Sequence, residues 1–314
     1  MTTTTAPAAG KVKQRPGDRW FSGTALGAGV MILVTLAAVA IFLVIQSIPG
    51  LTATSENASI LSGTFWEYVW PLAFGTVWAS FLALLMAVPL AVSVALFISH
   101  YAPRRLAQGL GYVVDLLAAV PSVVFGLWGI LVLAPAVQPV YAWLNANMGW
   151  FPLFSGTVSS TGRTIFTAAI VLAVMVVPII TAICREIFLQ TPVLHEEAAL
   201  ALGATRWEMI KMAVFPFGRS GIVSASMLGL GRALGETMAV AMVLSVANVV
   251  TFQLFTSENP GTIPANIALT FPEAYGVNIN VLIATGLILF IVTFAVNAIA
   301  RWIVSRRKEF SGAN

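Results

Sequence analysis

Five stretches of this chain carry no charged side chain: Phe21 to Ser55, Tyr68 to Ser99, Leu116 to Gly162, Thr164 to Cys184 and Ala274 to Ala300. A sixth apolar segment holds only Arg232 and Glu236. About 20 consecutive apolar residues suffice to cross a bilayer as a helix. Charged residues make up 9% of the chain, far below the quarter usual in soluble domains, so the long runs cannot be cores of a water-soluble fold. The sequence therefore predicts an all-α integral membrane protein with six transmembrane helices, near residues 22–48, 70–98, 110–133, 164–184, 220–247 and 279–303.

The third run is too long for one span. Pro135, Pro139, Asn145, Asn147, Gly149 and Pro152 read as turning its second half into an outer loop, with Trp143 and Trp150 suited to the membrane interface. The first helix follows Lys11, Lys13, Arg15 and Arg19, as a signal peptide would, but its apolar stretch is about twice a signal core and fits an uncleaved anchor.

Six spans with a cytoplasmic N-terminus place four cationic groups inside: Lys11 to Arg19; Arg104 and Arg105; Arg185, Arg206, Lys211 and Arg219; and Arg301, Arg306, Arg307 and Lys308. Of the 16 Lys and Arg, only Arg163 and Arg232 fall elsewhere. The outer loops carry Glu56, Glu67, Glu258 and Glu273. This is the positive-inside pattern, so the net charge of +4 reports topology, not a nucleic-acid partner. The layout gives a tail at 1–20, a transmembrane domain at 21–305 and a tail at 306–314.

Arg232 and Glu236 stand in a stretch that the spacing predicts to be one helix, where residues four apart share a face and can bond. An ion at a helix centre costs about 2.5 to 3.5 kcal/mol on insertion scales, so such groups pair or line a cavity. Two readings follow: an ion pair that locks helices together, or a charged station on the path of a polar solute. Guanidinium suits an oxyanion, because it stays charged and offers a planar fork of donors. Glu236 would then hold Arg232 when no solute is present. Asp115, near the inner end of the third helix, reads either as a polar wall of the same path or as an interfacial residue.

Catalysis is not indicated. No lysine is followed by Ser or Thr, which excludes the phosphate-cradling loop of an ATPase. The single cysteine, Cys184, permits no intrachain disulfide, and His100 and His195 have no second ligand at metal spacing.

The loop between the fourth and fifth helices, 186–217, is unusually ordered. Thr191 can cap a helix over 192–202, with Gly203 in the place of a left-handed terminator. Thr205-Arg206-Trp207-Glu208 has capping-box spacing and starts a second helix that Pro216 stops or kinks. This makes a cytoplasmic helix-turn-helix. On its first helix, Glu197, Ala198, Ala199, Ala201 and Leu202 include the small side chains that let another surface approach closely, with the carboxylates Glu196 and Glu197 near its exposed start.

Glu197-Ala198-Ala199, then Gly203, then Pro216 resembles the EAA loop of type I ABC importer permeases: EAA, three residues, Gly, nine residues, Ile-x-Leu-Pro. Ala213 and Phe215 depart from the usual isoleucine and leucine but stay apolar. Within that family, Gly231 to Ala239 is similar to the Arg-x-x-Gly-Glu-Thr segment of phosphate importer (Pst) permeases. Val120 to Gly129 also resembles a Pst segment, in its PstC form more than its PstA form. The resemblance implies that Glu197, Ala198, Ala199 and Gly203 couple the chain to an ATPase, and that Arg232 and Glu236 lie on the substrate path. It further implies a PstA-like second permease, two PstB-like ATPase chains that bind ATP and Mg, a PstS-like external phosphate-binding protein, and a place in the bacterial inner membrane. Another oxyanion such as sulfate or molybdate, or a self-contained ion-coupled transporter or channel, are the alternatives.

Overall fold

The computed structural model of the chain describes residues 16–305. Lys11, Lys13, Arg15, Arg306, Arg307 and Lys308, and with them most of the expected cytoplasmic tails, lie outside the described residues. Six helical stretches are long and apolar enough to cross a membrane. They are built from α1 (Pro16–Leu51), α2 (Phe65–Leu96), α4 (Ser122–Trp128) with α5 (Ala134–Met148), α6 (Ile165–Leu189), α8 (Arg206–Met209) with α9 (Phe215–Leu234), and α12 (Val277–Ser305). Between them stand four helices too short to count as spans: α3 (Arg104–Ala118), α7 (Val193–Ala201), α10 (Met238–Val243) and α11 (Ile263–Thr270).

The core is centred on α6, two-thirds of whose apolar window is buried. It packs against α2, α9, α3 and α10. Small residues make this possible: Ala83, Ala87, Ala91 and Ala95 recur every four positions on α2 and are fully buried. Without a hydrophobic drive between helices in lipid, close backbone approach and van der Waals packing supply the association. At the opposite extreme α1 leans only on α12, with a small contact to α2. None of its apolar window is buried within the chain.

Three expected boundaries move. The second helix begins at Phe65 rather than near 70, because Glu67 is the capping acid of its first turn: Thr64 Oγ1 accepts from Glu67 N while Glu67 Oε2 accepts from Thr64 N. The third span is Ser122–Met148, not 110–133. Pro121 is extended (φ −59°, ψ 138°) and separates α3 from α4. The expected outer loop over 134–148 is the second half of the span. Pro135 follows a π turn at Gly129–Leu133, which widens the continuous helix where the proline lacks its N–H. Asn147 Nδ2 donates back to Trp143 O, so its polar group is satisfied within the helix.

The third shift is in the fifth helix. It enters 14 residues earlier than expected, at Arg206, and ends at Leu234 instead of 247. Pro216 does not stop it. A π turn at Ile210–Val214 directly precedes the proline and widens the helix there, so the chain runs on into α9. After Leu234 the helix is interrupted: Gly235 ends α9, six residues form α10, and largely irregular backbone leads through Asn259 to α11.

Candidate translocation site and coupling loop

Gly235 and Thr237 flank the break, and Glu236 between them is buried, 9% exposed. Its carboxylate does not reach Arg232. Oε1 accepts from Ala239 N at 3.1 Å, in the first turn of α10. The ion pairs among the described residues are His100–Glu196, Arg185–Asp115 and Arg185–Glu186. The expected bond between residues four apart is therefore not made, because the two residues are not on one helix. Arg232 closes α9 and Glu236 opens α10. Backbone groups freed by a helix break cannot turn to water in a bilayer, and a nearby side chain must take them. The carboxylate of Glu236 does so here.

Arg232 is left half-buried, its Nε enclosed and without a hydrogen-bond partner among the described residues; Arg163 Nε is likewise unpaired, but Arg163 makes two bonds through Nη2. A guanidinium held in an apolar fold without a carboxylate is a donor fork awaiting an acceptor. The adjoining surface is tightly built. A Cβ at Gly126 would stand 2.8 Å from Ala239 Cα and 3.0 Å from Met242 Sδ, and one at Gly129 would stand 2.7 Å from Val243. The glycines of the Val120 to Gly129 segment are thus what lets α10 lie against α4.

Sequence reasoning missed the other end of α10. Arg163 Nη2 donates to Met242 O at 3.1 Å and to Leu244 O at 3.4 Å. A cation at a helix C-terminus also suits the helix dipole. Asn259, fully buried, accepts from Ile165 N (2.9 Å) and donates to Ser245 O (3.0 Å) and Arg163 O (3.4 Å). The far leg is tied to α2, where Thr76 Oγ1 accepts from Ile263 N at 2.9 Å. One signal existed: Arg163 was one of two cations outside the inner clusters.

The loop over 186–217 keeps its expected turn. Gly203 has φ +86°, and the end of α7 is a Schellman motif, with Ala204 N donating to Ala199 O and Gly203 N to Leu200 O. Thr205 and Glu208 form the capping box. Thr191 does not cap: Pro192 holds the N-cap position, and Thr191 Oγ1 is buried without a partner. Glu197, Ala198 and Gly203 are exposed, whereas Ala199 is buried. Ala198 and Ala199 line, with Leu194, His195, Met212 and Ala213, a hollow of about 330 Å³. Phe215, the other departure from the family pattern, packs edge-on against Phe188 and Trp207. Glu196 Oε1 lies 3.3 Å from His100 Nε2, linking α7 to the π turn that follows α2. Asp115 lies 3.9 Å from Arg185 and lines a hollow of about 510 Å³ with Arg104, Gln108, Tyr112 and Glu186, apart from Arg232.

Residues 87–309 match the family model of the binding-protein-dependent transport system inner membrane component. The phosphate transport system permease protein PstC 2 of Mycobacterium tuberculosis is 48% identical over 311 residues, 95% of each chain. PstC of Mycobacterium leprae is 45% identical over 318 residues, 98% of this chain and 99% of its own. A crystal structure of a bacterial ABC transporter that imports the acidic polysaccharide alginate superposes with a TM-score of 0.63 at 17% identity, over 93% of this chain and 96% of that one, a likeness of fold alone. With a helix broken beside a half-buried cation, a short helix of small residues between the fourth and fifth spans and full-length relatives of this kind, the chain belongs to the family of binding-protein-dependent transport system inner membrane components.

Proposed function

We propose that this chain is a transmembrane permease subunit of an ATP-driven phosphate importer, forming half of the translocation path while a separate chain hydrolyses ATP. The observation that carries the reading is Arg232: a half-buried guanidinium at a helix break, its Nε enclosed and unpaired, with the nearby carboxylate of Glu236 turned to the backbone of α10. Full-length relatives whose names specify phosphate support that choice of anion. Phosphate oxygens match the guanidinium fork in geometry and charge. Because Glu236 keeps a negative group within the same break, the anion is held weakly enough to leave, as conduction requires.

Of Glu197, Ala198, Ala199 and Gly203, the exposed Glu197, Ala198 and Gly203 form the coupling surface, and Ala199 lies buried at the wall of the hollow beside it. The exposed small side chains of α7 admit a groove of the ATPase, and the rigid turn at Gly203 passes motion to the continuous helix α8–α9. The partners are a PstA-like permease, two PstB-like ATPases and a PstS-like phosphate-binding protein. The chain sits in the bacterial inner membrane with both termini cytoplasmic, an orientation supported by Arg104, Arg105, Arg185 and Arg219 falling toward one side.

The test is ATP-dependent uptake by the reconstituted complex. Phosphate should accumulate and sulfate should not; equal uptake of both would refute the substrate. For orientation, single cysteines at Glu56 and Glu258 in a Cys184→Ala background should react with an impermeant thiol reagent in intact cells, and one at Arg104 should not.

A further inference from the structure

The proposed path depends on α10 staying where it is, yet six residues cannot hold themselves as a helix in isolation. Its start is capped by Glu236, and its last carbonyls point to Arg163. Arg163 precedes the first turn of α6, the most buried span, and is anchored there by its own carbonyl accepting from Asn259. Asn259 closes the circuit by also bonding Ser245 O and Ile165 N, so the two legs of the broken segment and the head of α6 share one set of bonds. A backbone bond, Ala247 N to Asn259 O at 2.9 Å, also fastens the legs to each other.

We propose that Arg163 and Asn259 are positioning residues for transport: a clasp that fixes the far end of α10 and thereby sets Glu236, at its near end, beside Arg232. This rests on the reading of Arg232 as the transport station. The clasp touches no solute. Its effect reaches the path through α10, whose tight seat on Gly126 and Gly129 converts a loss of the clasp into a shift of the capped end.

Two measurements on the complete, reconstituted importer test it. The first needs no phosphate. Leu244 is 3% exposed and offers its carbonyl to Arg163, so a cysteine there, in a Cys184→Ala background, should react slowly with a water-soluble thiol reagent. Adding Arg163→Gln should speed labelling roughly tenfold or more, whereas Arg163→Lys, which keeps the charge and one donor, should stay within about threefold of the parent. The second is the ratio of phosphate taken up to ATP hydrolysed. It should fall roughly tenfold in Arg163→Gln while hydrolysis stimulated by the loaded binding protein persists, and Lys should restore most of it. Unchanged labelling, or faster labelling with an unchanged ratio, would overturn the proposal.

If Arg163→Gln does not assemble, Asn259→Asp replaces it, since it keeps the acceptor for Ile165 N and loses the two donors. Failure of both to assemble would mean that the clasp serves folding alone, which also overturns the positioning role. Absence of phosphate uptake by the parent complex would instead sink the substrate reading and leave the labelling result standing.

Discussion

Two glycines end helices in this molecule, and they do so for different reasons. Gly203 has φ +86°, a conformation costly for any residue with a Cβ, and the bonds that finish α7 all come from residues within five positions. Gly235 has φ −93° and ψ 0°, which any residue adopts, so nothing local compels α9 to stop there. What stops it is distant in sequence: Arg163 and Asn259 hold the segment beyond the break, and Gly126 and Gly129 make room for it. The turn at Gly203 is a local structure. The break after Leu234 is a tertiary structure that local propensity alone would fill with continuous helix.

The contrast can be tested where its consequences are greatest. Arg232→Gln should reduce ATP-dependent phosphate uptake per assembled complex by roughly thirtyfold or more, the loss expected when one partner of a desolvated charge contact goes. The double variant Arg232→Gln with Glu236→Gln should stay equally inactive, since Glu236 engages Ala239 rather than Arg232. Recovery of uptake in the double variant would restore the idea of a structural ion pair. Next in size, Gly126→Val should force α10 off α4 and destabilise the complex by about 1 to 3 kcal/mol, as overpacking does, read as a lower midpoint in thermal unfolding. An unchanged midpoint would show that the seat is looser than the close approach to Ala239 implies.

On the local side, a Cβ at Gly203 meets nothing within 4 Å, so Gly203→Val acts through backbone strain alone, about 1 kcal/mol or more. Stimulation of ATP hydrolysis by the loaded binding protein should drop while assembly stays normal; wild-type stimulation would count against the coupling element. The smallest effect belongs to Thr205→Ala, which removes the capping-box hydroxyl and should destabilise the start of α8 by about 1 kcal/mol, visible as faster amide exchange at Glu208 N. No change in exchange would mean that Glu208 Oε2, bonded to Thr205 N, suffices to hold the turn.

What the sequence shows follows the range of the interactions. The uncharged runs made the spans readable because burying a charge in lipid is expensive wherever it occurs, and six candidate spans are found. The Thr205 capping box and the Gly203 terminator were readable because each is completed within a few residues. Thr191 was misplaced by one position, since Pro192 itself takes the N-cap. The third span was misread because prolines and asparagines signal loops in water, whereas inside α5 a preceding π turn and bonds such as Asn147 to Trp143 satisfy the backbone and the amides.

Arg232 and Glu236 stood out by their cost in an apolar segment, and that cost is a property of composition. Their relation to each other was beyond the sequence. Helical periodicity placed them on one face, but a helix persists only while its internal bonds are the best available to the backbone. Glu236 caps the new turn locally, while Arg163, Asn259 and Thr76 offer bonds from farther along the chain, and those partners, separated by up to 187 positions, come together only when α2, α6 and α10 have packed. The sequence alone determined the membrane class, the spans as apolar lengths, the coupling turn and the identity of the charged pair. Tertiary structure decided where the fifth helix breaks, and with it that Arg232 and Glu236 do not pair and that Arg232 has no partner among the described residues, because the break depends on contacts between residues remote in the chain.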